Sequence, residues 1–313
     1  MAGLSLYPPR DDETLRNQLS TLYGRGLTKD HLFSTYSGSE ALDLIARVFL
    51  EPDDEVIVCS PTFQVYSLTA SWQGAKIVNV PLDERDFSLK INAIMQAVTT
   101  RTRLVYLGNP NNPTGTIVSK EEMEILHAGL PQNVTIVSDE VYCHFVTHPE
   151  YPDSLSEIAE GRKLIVLHSF SKVYGLAGLR MGVVISCPEV IQMLAQLRRT
   201  FHLGSLEMEA AIAAIEDQTH VEKSVALAIQ GKKDLYSDFD RLGLTYWPSE
   251  GNFVLFRTLM LADDFATQMA EHGILVGSGS RFGLRNSIRV SIGHPEANRA
   301  FMSVLEDILI NND

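Results

Sequence analysis

Apolar residues alternate along this chain between short continuous runs and helix-spaced sets. Residues 11–24 begin with acids, space Leu15, Leu19 and Leu22 by four and three, and end in glycine. That pattern predicts an amphipathic helix with both end signals. Strand-like runs follow at 32–36, 55–59, 76–80, 103–107, 134–137, 164–167 and 181–186. Helical patterns at 41–50, 62–72, 89–98 and 119–128 lie between the earlier ones, the last opened by a Ser119/Glu122 capping box. Strands alternating with helices predict a mostly parallel sheet covered on both faces. Three helical stretches, 188–201, 205–215 and 220–242, come next. The last part changes character, with strands expected at 251–256, 274–276 and 287–292 and helices at 262–272 and 296–308.

The expected fold is therefore α/β: a large domain over residues 27–217 built on a seven-stranded sheet, and a smaller α+β domain over 218–313. Residues 1–26 are expected to contribute to the small domain or to a dimer interface. Open parallel sheets bind ligands beyond the carboxyl ends of their strands, so the segments that leave those ends become the candidates.

Composition narrows the partners. The 313 residues carry 26 basic and 39 acidic side chains, net −13, with no long run of like charge, which argues against nucleic acid. Cys59, Cys143 and Cys187 lie far apart, and the nine histidines show no HExxH spacing, so neither a disulfide framework nor a metal site is expected. No apolar run reaches the length of a membrane span and the N-terminus lacks a signal-peptide pattern, so a cytoplasmic protein is expected.

The segment from His168 to Gly182, H-S-F-S-K-V-Y-G-L-A-G-L-R-M-G, follows a buried-strand run. Its one lysine, Lys172, offers an amine able to form a Schiff base. Ser169, Ser171 and Arg180 suit a phosphate dianion. Gly108 to Gly115, G-N-P-N-N-P-T-G, leaves the strand before 108 as a stiff turn able to aim one amide. Ser138 to Tyr142 (S-D-E-V-Y) leaves the next strand with a carboxylate, Asp139, able to pair with a protonated ring nitrogen, and a phenol, Tyr142, three residues on. Gly38, Ser39 and Glu40 open a helix whose free N–H groups and dipole favour phosphate. Phe63, in P-T-F, can stack on a flat ring. Arg289 stands alone in an apolar strand, where a substrate carboxylate would be a partner. Gly277 to Gly283 lacks GxGxxG spacing and is expected as a mobile loop near the domain interface.

Taken in order, G-S-E, P-T-F, NPNNPTG, S-D-E-V-Y, S-F-S-K with G-L-R, and S-I-R-V-S-I-G resemble the fold-type-I pyridoxal-phosphate aminotransferases, in the histidinol-phosphate aminotransferase-like branch. The resemblance runs from about Leu6 to the C-terminus. It implies pyridoxal 5'-phosphate bound to Lys172 as a Schiff base, Asp139 on its ring nitrogen, Asn112 and Tyr142 on its 3-oxygen, and Phe63 on its face. Gly38, Ser39 and Glu40, with Ser169, Ser171 and Arg180, would hold its phosphate. Arg289, with Asn112, would bind the substrate's carboxylate or phosphate. Tyr7, in a Tyr-Pro step, would reach the partner subunit's cofactor, which implies a homodimer. The implied activity is amino transfer between an L-amino acid, or an amino-acid-like phosphate ester, and a 2-oxo acid; decarboxylases and cyclases of the threonine-phosphate decarboxylase type share the scaffold. Two departures stand out. Only Met1 to Leu6 precede Tyr7, where relatives carry an arm often containing Asn-Glu-x-Pro. Gly277 stands where the histidinol-phosphate enzymes often have arginine, with Arg281 and Arg285 as the nearby cations.

Overall fold

The computed structural model describes residues 5–312. Seven strands make the central sheet: β1 (Leu32–Thr35), β2 (Glu55–Val58), β3 (Lys76–Asn79), β4 (Thr102–Gly108), β5 (Thr135–Asp139), β6 (Leu164–Ser169) and β7 (Gly182–Ile185). Their order is β1-β7-β6-β5-β4-β2-β3, and β7 alone runs against its neighbours. Helices α1 (Glu13–Tyr23), α2 (Gly38–Phe49), α3 (Val65–Trp72), α4 (Ile91–Ala97), α5 (Lys120–Gly129) and α6 (Ser154–Ala159) alternate with β1 to β6. A helix between consecutive strands returns the chain to the same edge, which is what makes those strands parallel. The link from β6 to β7 has only a 3-10 turn, Ala177–Leu179, so it turns back directly and β7 is antiparallel.

Central strands such as β6 are buried at every position because helices cover both faces, whereas β3 at the edge is not. Two apolar cores sandwich the sheet. One includes Leu42, Ile45, Tyr66 and Val190; the other includes Leu15, Leu19, Met123, Phe170 and Ala211. Residues 1–26, expected from sequence in the small domain or at a dimer interface, place α1 in this second core, because Leu15 and Leu19 are its two buried residues.

After α7 (Pro188–Ala195) and α8 (Ser205–Glu216), the long helix α9 (Gln218–Arg241) leads to a four-stranded antiparallel sheet. Its strands are β8 (Tyr246–Trp247), β9 (Phe253–Arg257), β10 (Gly277–Ser278) and β11 (Ser287–Ser291), in the order β10-β11-β9-β8, with α10 (Ala262–Glu271) and α11 (Pro295–Asn312) beside them. Ala228 of α9 belongs to the large core while Leu235 and Phe239 belong to the small one, so the expected 217/218 boundary falls at the cap of a helix that both share.

Strand β9 alternates between the two cores, as a period of two requires: Val254 and Phe256 face the small core, Phe253 and Leu255 the large one. In register with it, Arg289 of β11 pairs with Leu255. This carries Arg289 toward the large sheet.

Three expectations change. The helix expected from 62 starts only at Val65, because Thr62 and Pro61 are held by Asn111 instead. Residues 274–276 are not a strand; the pairing with β11 begins at Gly277, and Leu275 points into solvent at 88% exposure. The 277–283 segment, expected as a mobile loop, forms β10 and a 3-10 turn tied by Ser280 N–H donating to Ser278 Oγ. Glycine is required at 279, where a Cβ would lie 2.4 Å from the Ser287 carbonyl oxygen.

Candidate active site

A cavity of about 210 Å³ lies at the carboxyl ends of the parallel strands. Gly38, Ser39, Phe63, Asn112, Asp139, Tyr142, Ser169, Ser171, Lys172 and Arg180, all candidates from sequence, line it together. They lie at the ends of, or on the segments that follow, β1, β2, β4, β5 and β6, brought to one place by the common direction of those five strands.

One end of the cavity is built for an anion. At the start of α2, the N–H of Glu40 donates to Ser37 Oγ and that of Ala41 to Ser37 O, leaving those of Gly38 and Ser39 without a partner among the described residues. Free first-turn N–H groups at the positive end of a helix attract phosphate. Ser37 (φ 112°) and Arg180 (φ 59°) both hold left-handed backbone here, a cost that clusters at functional sites. Arg180 makes no ion pair among the described residues; its Nη1 donates to the Ala177 carbonyl at 2.9 Å. Gly182 must be glycine, since a Cβ would come within 2.8 Å of the Gly38 nitrogen.

Glu40 differs from expectation. Its N–H is occupied by the cap and its carboxylate accepts the Tyr36 N–H, so it does not line the cavity. Tyr7 does not line it either. It is 82% exposed and stacks on Phe201 at 4.8 Å.

The NPNNPTG turn is pinned by its own side chains. Asn111 accepts from the Thr62 hydroxyl at 2.6 Å and donates to the Pro61 carbonyl and to Thr114. Asn109 accepts the Val118 N–H at 3.0 Å. With Asn109 and Asn111 of the same turn fixed, Asn112 lines the cavity, and its Oδ1 accepts a 2.7 Å hydrogen bond from Arg289 Nη1.

Asp139 also lines the cavity, buried at the tip of β5. Burial pushes its carboxyl above the ordinary value, while hydrogen bonds from Tyr66 and the Val141 N–H and the charge of Lys172 pull it down. Lys172 Nζ sits 5.0 Å from the centre of the Tyr142 ring. Tyr142 in turn meets Phe253 of β9 edge-on at 5.0 Å.

Tyr66 escaped the sequence reading. Its hydroxyl donates to Asp139 Oδ2 at 2.8 Å and it lines the cavity. The available signal was its spacing of three from Phe63, which places both near one face of the same segment.

Arg289 is partly buried, its guanidinium 4.9 Å from the Phe253 ring centre and its Nε without a partner. Arg281 approaches it: a Cβ on Gly277 would lie 3.4 Å from Arg281 Nη2 and 3.7 Å from Arg289 Cβ. Burial and then the Arg289 charge lower the Arg281 guanidinium from its usual value. Neither arginine makes an ion pair among the described residues, so a second, unneutralised cation lies beside Gly277. Arg281 is itself exposed, as is the other nearby cation, Arg285.

No group of three or more His, Cys, Asp or Glu suited to a metal occurs among the described residues, and none of their helices is long and apolar enough to cross a membrane. The sequence model of the aminotransferase class I and II family matches residues 1–304. A histidinol-phosphate aminotransferase of Moorella thermoacetica is 37% identical over 305 residues, covering 97% of this chain and 78% of that one. An aspartate aminotransferase of Thermus thermophilus, a tetra mutant, superposes with a TM-score of 0.86 at 25% identity, covering 97% and 88%. The histidinol-phosphate aminotransferase of Sinorhizobium meliloti, solved with pyridoxal 5'-phosphate, has the same fold at a TM-score of 0.89 and 24% identity, covering 99% and 84%.

Proposed function

The chain belongs to the aminotransferase class I and II family, and on that premise we propose that its amino donor carries a phosphate ester, as histidinol phosphate does, and its acceptor is a 2-oxo acid. The chain is an aminotransferase, and pyridoxal 5'-phosphate is its cofactor. The residues present fit that group. The cavity is lined by Gly38 and Ser39, whose N–H groups have no partner among the described residues, by Arg180, and by the buried Asp139 carboxylate, which makes no ion pair among them.

In this reading Gly38, Ser39, Ser169, Ser171 and Arg180 hold the cofactor phosphate, Phe63 covers the ring face, and Asn112 and Tyr142 donate to the ring oxygen. Asp139 faces the ring nitrogen, and Lys172 is the amine that bonds to the aldehyde. When bound, the cofactor supplies an electron sink for the charge left on the donor's α-carbon. Lys172 Nζ takes the proton from that carbon and later returns one, a task for a flexible amine inside hydrogen-bond reach. Asp139 keeps negative charge where the ring becomes cationic, in a site mostly withdrawn from water.

The observation carrying the substrate class is the pair Arg281 and Arg289, two adjacent guanidinium groups without a carboxylate in a chain of net charge −13. A dianionic phosphate satisfies two guanidinium groups through charge-assisted hydrogen bonds. Tyr7, exposed on the single chain, supports a homodimer in which it serves the partner's site. Three free cysteines are consistent with work in the reducing cytoplasm.

Glutamate formation from 2-oxoglutarate, with histidinol phosphate and the common amino acids as donors, tests this reading. Histidinol phosphate should give the highest kcat/KM, and Lys172→Ala should lower it at least about a thousandfold. Efficient use of neutral donors with no preference for the phosphate ester would refute the substrate class, and carbon dioxide release in place of glutamate would refute amino transfer.

A further inference from the structure

Tyr66 is buried at 1% exposure, stacked face to face on Tyr106 of β4 at 5.1 Å and 4°, and edge-on to Phe63 at 5.7 Å. Packed between these two rings, it donates its hydroxyl to Asp139 Oδ2 at 2.8 Å. Burial and then the Asp139 charge push that hydroxyl well above its ordinary pKa, so it stays a proton donor. The other carboxylate oxygen, Oδ1, takes only a long bond from the Val141 N–H at 3.4 Å. Among the described residues Tyr66 is the only side chain hydrogen-bonded to Asp139. The remaining charged or titratable groups around the carboxylate are Lys172, Glu140 and Tyr151.

We infer that Tyr66 is a positioning residue that acts through Asp139: its hydroxyl fixes the carboxylate's orientation and keeps it anionic, so that the proton shared with the cofactor ring nitrogen stays on the ring. The physical reason is asymmetric donation. A hydrogen bond to the charged form of an acid stabilises that form, and Tyr66 supplies a rigid neutral donor without adding charge that would repel a cationic ring. Removing the hydroxyl leaves the buried Asp139 with one weak donor. Its proton affinity rises, and the ring proton moves toward the carboxylate. No bond is made or broken beyond that transfer. The inference rests on the cofactor reading above.

Tyr66→Phe keeps the ring stacking and deletes only the donor. Holoprotein loaded with pyridoxal phosphate labelled with nitrogen-15 in the ring reports the protonation state directly by NMR. In the variant the ring-nitrogen signal should move toward the neutral-pyridine position. The pH midpoint of the bound cofactor's visible band should rise by about one unit, and cofactor affinity should fall about tenfold, the sizes expected for one hydrogen bond to a charged group. Tyr106→Phe, which removes a buried hydroxyl with no hydrogen-bond partner among the described residues, should leave all three unchanged. Fluorination of the Tyr66 ring beside its hydroxyl makes a stronger donor and should move the midpoint the opposite way, a readout that remains if Tyr66→Phe folds poorly. A wild-type signal and midpoint in Tyr66→Phe, or equal shifts in Tyr106→Phe, would overturn the inference while leaving the cofactor reading intact. Wild-type protein that binds no cofactor would remove both.

Discussion

Arg16 and Arg198 converge on Asp12, whereas Arg281 and Arg289 converge on no carboxylate. Asp12 is buried and takes hydrogen bonds from Arg16 Nε at 2.8 Å and from both ends of the Arg198 guanidinium at 2.8 and 2.9 Å, with the Ser34 N–H at 3.3 Å. Burial alone would raise the Asp12 carboxyl, but the hydrogen bond and charge of Arg198 and the charge of Arg16 hold it below the ordinary range. That triad closes on itself and ties α1 to β1 and to the chain beyond α7. Arg289 has Asn112 and the Phe253 ring as neighbours, Arg281 has the Phe282 ring, and each is an unfavourable charge for the other. Two guanidinium groups around an internal anion serve the fold. The two near Gly277 have no such internal anion among the described residues, and the proposed function gives them the donor's phosphate.

Exchanging the roles should fail in both directions. Asp12→Ala leaves two largely buried cations uncompensated and should lower stability by about 3–5 kcal/mol, read by chemical denaturation, with kcat/KM of the remaining folded enzyme close to wild type. Arg289→Ala should do the reverse: about a hundredfold loss in kcat/KM for a phosphate-bearing donor, expressed mainly in KM, with the denaturation midpoint little changed. Acid separates the two further. A carboxyl whose folded pKa is depressed contributes stability that is full above its unfolded value near 3.9 and is lost as pH falls through the folded value. The stability gap between wild type and Asp12→Ala should therefore be constant near neutral pH and narrow below about pH 4. Arg281→Ala should have the smallest effect, about tenfold in kcat/KM for dianionic donors and none for neutral ones. Restoring a cation with Gly277→Arg in that background should recover part of the loss. Should Arg281→Ala hurt neutral and dianionic donors alike, the two arginines do not form one anion site.

Much of this was legible because it depends on local order. Continuous apolar strands, capped helices and the turns between them placed Lys172, Asp139, Asn112 and Ser169 at strand ends, and parallel strands must deliver such ends to one side. Other features depended on what surrounds a residue. Glu40 looked available until Ser37 capped its N–H and its carboxylate folded back on Tyr36. Tyr66, absent from the sequence reading, joins the site only because its hydroxyl meets Asp139, 73 positions away.

The sequence by itself determined the seven-stranded sheet, most of the residues that line the cavity and the family, since each rests on periodicity and short motifs whose geometry is set within a few residues. Only the tertiary structure decided that α1 belongs to the large core, that the 277–283 segment is an ordered strand and turn, and that Arg281 stands beside Arg289. Those outcomes turn on side chains distant in sequence competing for the same burial, hydrogen bonds and charge, and that competition is settled only once the two sheets meet through β9.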